Sequence, residues 1–256
     1  MGKNPEKVVK IYIFNNKLEK HLISRGYNTA VCCVGWGSCA FFPATTCAAE
    51  QSTGGNGVVK FHNVPELLID EAIAAVAGYG LERATTKAIV QRSGMNEAYI
   101  YRYYTDKDDL LVKMFDKLDE ELLQAIVTHL PVMQGEGDHE ARCRQLFCDV
   151  WRFLLGNSEK CLAFIRYYYS PYFTTCSLEK HQQRYAELTV SFGRLLRAES
   201  NVWMLLNHIL NVMLDFAVKV FNGQIPDNED TAEHVFRLVY YSVCPYFVQE
   251  EESISV

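Results

Sequence analysis

A series of closely spaced helix start and stop signals between Asn63 and Lys107 limits the possible folds of this chain more than any other feature. Asn63 is followed three residues later by Glu66, which is the pattern of a capping box. Apolar residues then recur at helical spacing until Gly78 and Gly80. Because glycine is favoured just beyond a helix, the pattern predicts a first helix that ends near these glycines.

Three further boundaries follow within a few turns of helix. The threonines at 85–86 predict the start of a short second helix, and Gly94 predicts its end. Asn96 predicts the start of a third helix, and Asp106, with Asp109 at the capping-box position, predicts the start of a fourth. The segment is therefore expected to form short helices that are separated by tight turns.

Two short helices joined by a tight turn can place the second helix in the major groove of DNA. The spacing predicts that Ala88, Ile89, Ala98 and Ile100 pack the two helices against each other. Polar and aromatic side chains on the opposite face suit base edges and phosphates, and Lys107 can bind a phosphate together with a helix amino terminus. The candidate DNA-binding residues are Thr85, Thr86, Lys87, Asn96, Glu97, Ala98, Tyr99, Tyr101, Arg102 and Lys107.

This segment, continued to Leu111, resembles the DNA-binding domain of the bacterial TetR/AcrR family of transcriptional regulators. The resemblance implies that the third helix reads the operator, and that Tyr101, Lys107 and one of the threonines at 85–86 contact the DNA backbone. The residues in register with the family are Thr85-Thr86, Ile89, Gly94, Ile100-Tyr101, Tyr104, Lys107 and Leu110-Leu111.

The chain departs from the family pattern at two positions that bear on recognition. Glu97 stands where a basic or small residue is common, and Tyr99 stands where a small residue is usual. A third departure, Tyr104 in place of phenylalanine, is conservative. A glutamate favours contact with a cytosine amino group and disfavours contact with phosphate. The base preference of the third helix therefore stays open.

The net charge of −6 suits a DNA-binding protein only when it is divided along the sequence. Residues 83–107 carry five Lys/Arg and two Asp/Glu, whereas residues 114–256 carry 12 Lys/Arg and 20 Asp/Glu. Phosphate binding depends on the local charge and not on the total. The charge distribution permits DNA binding at residues 83–107 without demonstrating it.

Periodicity and composition divide the chain into three regions. Residues 1–58 show no sustained pattern, which predicts a poorly ordered amino-terminal extension or a mis-assigned start codon. Residues 59–111 form the predicted helix-turn-helix domain, and residues 112–256 form a predicted effector-binding and dimerisation domain. The predicted fold is therefore all-α, with an N-terminal three-helix helix-turn-helix domain followed by a helical ligand-binding and dimerisation domain. The helices predicted in the last region are 138–156, 159–170, 178–199, 201–222 and 229–248.

Residues 114–256 contain 20 aromatic side chains. Such side chains either line an apolar pocket for a small-molecule effector or simply fill the core. The three consecutive tyrosines at 167–169 cannot all point inward, so at least one of them is expected to be exposed. The candidate effector-pocket residues are Trp151, Phe164, Tyr167, Tyr168, Tyr172 and His208.

The two predicted helices at 201–222 and 229–248 are apolar around much of their circumference. This pattern predicts a self-complementary seam of four helices in a homodimer. A homodimer would bind a pseudo-palindromic operator in double-stranded DNA, one half-site for each third helix. Polar side chains recur every four residues on the first of these helices, as a solvated stripe, a polar dimer seam or ligand contacts: Asn207, Asn211, Asp215 and Lys219.

Several other functions lack support in the sequence. It contains no G-x-S-x-G, Gly-rich phosphate loop or H-E-x-x-H motif, so an enzyme is not expected. The nine cysteines form no CxxC pair, and the spacing from Cys32 to Cys47 lacks a well-placed histidine, so no metal or cofactor is expected. Polar residues interrupt the apolar stretch Trp203–Phe221, and no export signal is evident, which favours a cytoplasmic location without membrane contact.

The favoured function is a sequence-specific DNA-binding transcriptional regulator, a repressor that a small-molecule effector releases from DNA. A helix-turn-helix protein that acts through protein contacts stays open, because Glu97 and Tyr99 are unusual in a base-reading helix. An all-helical small-molecule carrier or enzyme is the less favoured alternative.

Overall fold

The computed structural model describes residues 63–135 and 138–248, and within these ranges the chain is built from α-helices joined by short turns. The predicted all-α class is confirmed. The predictions made for residues 1–58, including the extension and the cysteines at 32–47, lie outside the described ranges. The helices are α1 (Val64–Tyr79), α2 (Thr86–Val90), α3 (Ala98–Tyr103), α4 (Lys107–His129), α5 (His139–Gly156), α6 (Ser158–Tyr168), α7 (Leu178–Arg184), α8 (Ala186–Gly193), α9 (Val202–Phe221) and α10 (Glu229–Val243).

Side-chain caps fix the helix starts nearest the predicted recognition unit. The Thr85 hydroxyl accepts a hydrogen bond from the Ala88 amide at 3.2 Å and begins α2. The Asp106 carboxylate accepts one from the Asp109 amide at 2.8 Å and begins α4. Both caps are confirmed, and they satisfy amides that have no partner inside the helix.

The predicted capping box at the start of α1 is wrong, because its two side chains do not bond the main-chain amides of the helix start. The Asn63 side chain caps no amide of α1, and its Nδ2 instead donates to Glu66 Oε2 at 3.0 Å. The other Glu66 oxygen lies 3.1 Å from Lys117 Nζ on α4. The Lys117 ammonium lowers the pKa of the Glu66 carboxyl, so Glu66 forms an ion pair with α4 instead of closing a capping box.

Two predicted helices in the second half of the chain are longer than the observed ones. The predicted helix 178–199 is broken at Tyr185 and ends at Gly193. Residues beyond Gly193 leave the helix to pair with the carboxyl-terminal segment, where Arg197 N donates to Tyr246 O at 2.8 Å. The predicted helix 229–248 ends at Val243, because Pro245 removes an amide and restricts the residue before it.

An aromatic cluster forms the centre of the core, where α4 meets α6. Phe115 is fully buried, and its ring stacks on Tyr167 at 4.6 Å and on Phe164 at 5.2 Å between centroids. Tyr169, the third of the consecutive tyrosines, is 68% exposed, so the expectation that they cannot all point inward is confirmed. These rings contribute both apolar burial and stacking to the contact between the two helices.

One carboxylate, that of Asp119 on α4, is fully buried. Its Oδ1 lies 2.8 Å from Nδ1 of the buried His181, and its Oδ2 pairs with Arg184. Arg184 also lies 3.1 Å from Asp116. A buried charge is tolerated only where partners replace the water it has lost, so these contacts fix α7 against α4.

A single guanidinium joins α6 to the end of α1. Arg166 Nη1 donates to the main-chain oxygens of Val76 and Ala77 at 2.6 and 2.7 Å. The last carbonyls of a helix have no partner within the helix and carry partial negative charge, so they suit a cation. Arg166 thereby connects the first helix of the predicted recognition unit to the second half of the chain.

Replacing the buried carboxylate with a methyl group tests its structural role. Asp119→Ala leaves His181 and Arg184 without their shared partner, and we expect a loss of about 3–5 kcal/mol in the free energy of unfolding. Glu120→Ala is the matched control, because Glu120 also pairs with Arg184 but its side chain is 53% exposed. It should cost less than about 1 kcal/mol in a urea titration followed by circular dichroism. Equal losses for the two variants would contradict the assigned role.

Candidate nucleic-acid interface

Of the four residues predicted to pack α2 against α3, Ala98 is the one that is exposed. Ile89 and Ile100 are fully buried in the same core cluster, and Ala88 is half-buried. Ala98 is exposed, and the buried side chain next to this helix is Met95 in the turn. Ala98 is the first residue of the short α3, at the point where the chain enters the helix from the turn, and it is not covered by the core.

The outer face of α3 presents an exposed aromatic and basic surface. Tyr101 is 60% exposed and Arg102 is exposed beside it. Tyr103, which the sequence reasoning missed, is 41% exposed, and the Arg102 guanidinium lies 5.7 Å from the centre of its ring. Tyr104 turns inward, where its hydroxyl donates to Pro65 O at 2.8 Å. Neighbouring residues in a helix point in different directions, so an inward-facing Tyr104 is the signal that Tyr103 faces outward.

Two predicted DNA contacts bind each other in this structure. The Thr86 hydroxyl at the start of α2 donates to the carboxylate of Glu97, which immediately precedes α3. Both side chains are half-buried. The unusual glutamate therefore serves first as a bridge between the two helices, and it places a negative charge at the edge of the candidate surface.

Several other predicted residues lie around the same surface. Thr85, Lys87 and Asn96 are exposed, and Lys107 is half-buried in the first turn of α4. Asn96 Oδ1 accepts from the amide that follows Glu97 at 2.9 Å, which organises the start of α3. These four polar residues lie at or next to the starts of α2, α3 and α4. At helix starts, amides and cations can meet phosphate together.

Two predicted contributors make contacts within the protein itself. Tyr99 is half-buried and packs against the core. Arg92, which counted toward the local positive charge, lies 3.0 Å from the buried carboxylate of Glu71 on α1. The remaining positive charge of residues 83–107 comes from Arg83, Lys87, Arg102 and Lys107.

The candidate effector residues lie mainly inside packed contacts. Trp151 stacks on Phe147, the Tyr167 hydroxyl lies 2.9 Å from Ser177, and Tyr168 donates to Asn207 at 2.8 Å. Phe164 and Tyr172 surround the same aromatic cluster, and Phe164 also borders a small cavity of about 20 Å³. His208 is exposed, and its Nε2 lies 2.8 Å from Ser242 on α10.

A second and larger cavity lies elsewhere in the helical bundle. It has a volume of about 110 Å³ and lies between α4, α5, α8, α9 and α10. None of the six candidate effector residues lines it. In the described ranges, no three His, Cys, Asp or Glu side chains are grouped so that they could hold a metal ion.

The arrangement of α1 to α3 defines a helix-turn-helix DNA-binding unit, with α3 as the exposed second helix. Residues 68–114 match the family model described as bacterial regulatory proteins of the tetR family. This match confirms the resemblance inferred from the sequence for these residues. No curated protein matches the chain.

Solved structures share the fold of the chain at low sequence identity. A TetR family transcription regulator from Marinobacter aquaeolei VT8 is 17% identical with a TM-score of 0.58, over 70% of this chain and 94% of its own. A TetR-like transcriptional regulator from Rhodococcus sp. RHA1 is 14% identical with a TM-score of 0.54, over 71% and 96%. The fatty acid degradation regulator FadR from Bacillus halodurans is 17% identical with a TM-score of 0.51, over 70% and 96%. The described part of the chain thus has the all-α fold of these regulators.

The bridge between Thr86 and Glu97 gives a prediction for DNA affinity. Glu97→Gln keeps an acceptor for the Thr86 hydroxyl and removes a negative charge next to the phosphates, so DNA should bind about fivefold more tightly. Glu187→Gln makes the same charge change on the exposed face of α8 and should leave affinity unchanged. Fluorescence anisotropy with labelled duplex DNA measures both variants. Weaker binding by Glu97→Gln would instead indicate that the carboxylate contacts a base.

Proposed function

We propose that the chain is a transcriptional repressor that binds a pseudo-palindromic operator as a homodimer and leaves it when a small molecule binds the helical bundle. The observation that carries this proposal is that α3 exposes Tyr101 and Arg102 and that the next helix, α4, begins with Lys107. Tyrosine and lysine suit the DNA backbone, and arginine suits either backbone or guanine.

The proposed recognition surface comprises the exposed and half-buried polar residues of α2, α3 and the first turn of α4. Thr86, Glu97 and Ala98 belong to it by position, although the first two are bonded to each other. Tyr99 supports the surface from behind instead of reaching DNA, since it packs on the core. The residues proposed to contact DNA directly are Thr85, Lys87, Asn96, Tyr101, Arg102, Tyr103 and Lys107.

The proposed dimer seam uses the outer faces of α9 and α10. By length and composition α9 is apolar enough to cross a membrane, which differs from the expectation drawn from its polar interruptions. Only 22% of its apolar window is buried within the chain. Met204 on α9 is 65% exposed, and Leu238 and Tyr241 on α10 are 55% and 59% exposed. A soluble chain needs a partner for such a face, and a second copy of the same two helices would cover it.

The polar stripe of α9 fits this arrangement. Asn207 accepts from Tyr168 inside the bundle, whereas Asp215 and Lys219 pair with each other at the surface. His208 bonds Ser242 across α9 and α10 on the exposed side. The stripe therefore divides into an inner hydrogen bond and outer polar groups that would lie at or near the proposed seam.

Coupling between the bundle and DNA requires a mechanical link, and two contacts supply one. Arg166 binds the end of α1, and the buried Asp119 binds α7 to α4, whose first residue is Lys107. A ligand that changes the packing of the bundle would therefore move the recognition surfaces of both subunits. Only a ligand that prefers one dimer geometry can shift the equilibrium in this way.

DNA binding is tested with duplexes that cover the promoter region of the gene itself and of its neighbours. A folded protein that binds none of them specifically at moderate salt would contradict the proposal. Lys107→Ala is expected to weaken binding to specific and nonspecific duplexes alike, and to reduce the salt slope by about 1, because it removes one phosphate contact. A change in base preference would instead place Lys107 at a base edge.

The dimer seam gives a separate prediction. Leu238→Asp places a charge in the proposed seam, so the protein should sediment as a monomer at micromolar concentration and lose most of its operator affinity. Val190→Asp is the matched control, because Val190 on α8 is 60% exposed but lies outside α9 and α10. Sedimentation velocity distinguishes the two variants. A Leu238→Asp protein that stays dimeric would place the seam on another face.

The alternative function, a helix-turn-helix protein that acts through protein contacts, has one supporting observation. Thr86 and Glu97 are both candidate DNA contacts, and their side chains are hydrogen-bonded to each other. Genome-wide binding profiles separate the two functions, since the alternative gives no sequence motif in the recovered DNA. An enzymatic role has no comparable observation among the described residues.

A further inference from the structure

The cavity of about 110 Å³ in the helical bundle has a wall that is apolar on all sides. It is lined by aliphatic, aromatic and sulfur-containing side chains, and no polar atom is exposed in the wall. The residues that define its opposite sides are Leu146, Val150, Leu188, Ile209, Met213 and Val239. They come from α5, α8, α9 and α10, so the cavity lies inside the bundle and behind the proposed dimer seam.

The two wall residues that carry polar groups do not alter this character. Burial raises the pKa of the Cys143 thiol and of the Tyr240 hydroxyl to about 12, so both are neutral at physiological pH. Cys143 faces the His139 ring, with its sulfur 3.8 Å from Nδ1. The thiol and the hydroxyl are therefore both uncharged, and neither of them nor any other polar atom is exposed in the cavity wall.

Water is a poor occupant of such a space. A buried water molecule needs two to four polar partners, and an apolar cavity without them stays dry. Protein interiors are otherwise closely packed, so an unfilled cavity of this size forgoes many van der Waals contacts. For comparison, an apolar cavity of about 150 Å³ lined by similar side chains holds a benzene molecule.

From this wall and this volume we infer that the cavity binds an uncharged apolar group about the size of a benzene ring, either a monocyclic aromatic ring or a short alkyl chain. A carboxylate, phosphate or ammonium group cannot enter, because the wall offers no partner for it. Larger apolar ligands require the flexible Met133 and Met213 side chains to move. This inference deepens the proposed function, on which its regulatory part rests.

One side of the cavity is closed by irregular chain instead of by helix. Phe247 lines the cavity, and its ring contacts the His139 ring at 4.5 Å between centroids. The segment around it forms a single antiparallel β-bridge with Leu196, and Val248 N donates to Leu195 O at 3.1 Å. Few main-chain bonds hold this side, so it is the side through which a ligand enters with least disruption.

Ligand occupancy connects to the recognition surface through α4. Ile126, in the last turn of α4, lines the cavity, and Lys107 opens the same helix at the other end. A ligand that fills the space between α4, α5 and α9 stabilises one placement of α4, and we expect this placement to bind the operator less tightly.

Binding is tested first on the full-length dimer without DNA, with toluene and benzoate as a matched pair of probes. The two share a ring, but benzoate carries a charge. Toluene should raise the melting temperature in a dose-dependent manner and give a saturable signal in calorimetry, and benzoate at the same concentrations should do neither. Equal effects of the two probes, or no effect of toluene, would overturn the assignment.

Filling the cavity by mutation locates the site. Val239→Phe should remove the toluene response, and Ile209→Phe is a second filling variant at a half-buried position, for use if the first fails to fold. Val212→Phe is the control, because Val212 is half-buried on the same helix as Ile209 but does not line the cavity. Toluene should stabilise the control as it does the unmodified protein. A folded filling variant that keeps the full response would overturn the proposed location.

The regulatory part is tested separately with operator DNA. Toluene should lower the operator affinity of the unmodified protein at least tenfold and leave that of a filling variant unchanged. A protein that binds toluene but no DNA would overturn the proposed function and support the cavity assignment. A protein that binds DNA with equal affinity in the presence and absence of bound toluene would overturn the regulatory link alone.

Discussion

The buried carboxylate of Asp119 is the contact on which the placement of the longest helix depends. A charge in the core is stable only with partners, and both partners, His181 and Arg184, come from α7. Apolar packing around Phe115 is permissive, since similar rings could stack in several registers. The ion pair is directional and therefore selects one register. Because Lys107 stands at the first turn of α4, the same contact determines where the end of that helix that carries Lys107 lies.

Local chemistry made the amino-terminal unit predictable from sequence. Thr85 and Asp106 each cap a helix through an amide three residues away, so the signal and the structure lie within one turn. The end of α8 was not predictable in this way. Residues after Gly193 leave the helix because they pair with residues near Tyr246, and such a contact has no local pattern. Pro245 did provide a local signal for the end of α10, and the apolar periodicity around it concealed that signal.

The functional surface was predictable in residue type and less so in residue role. The exposed positions of Tyr101 and Arg102 follow from helical spacing. The bond from Thr86 to Glu97 joins residues on two helices, and only their relative placement reveals it. The candidate effector residues were also predictable in type but not in role. Aromatic content identified a region rich in rings, but rings such as Tyr167 satisfy one another in the core, and the open space lies among aliphatic side chains.

The contact of Arg166 with α1 has a consequence for how such a molecule can change over evolutionary time. The guanidinium binds the main-chain oxygens of Val76 and Ala77, and every residue type offers the same carbonyl. The outer faces of the recognition unit are thus free to acquire new operator preferences while the attachment to the bundle is retained. A substitution at Arg166 would remove this hydrogen-bonded part of the attachment, whereas substitutions of the Val76 and Ala77 side chains keep the carbonyls that accept it.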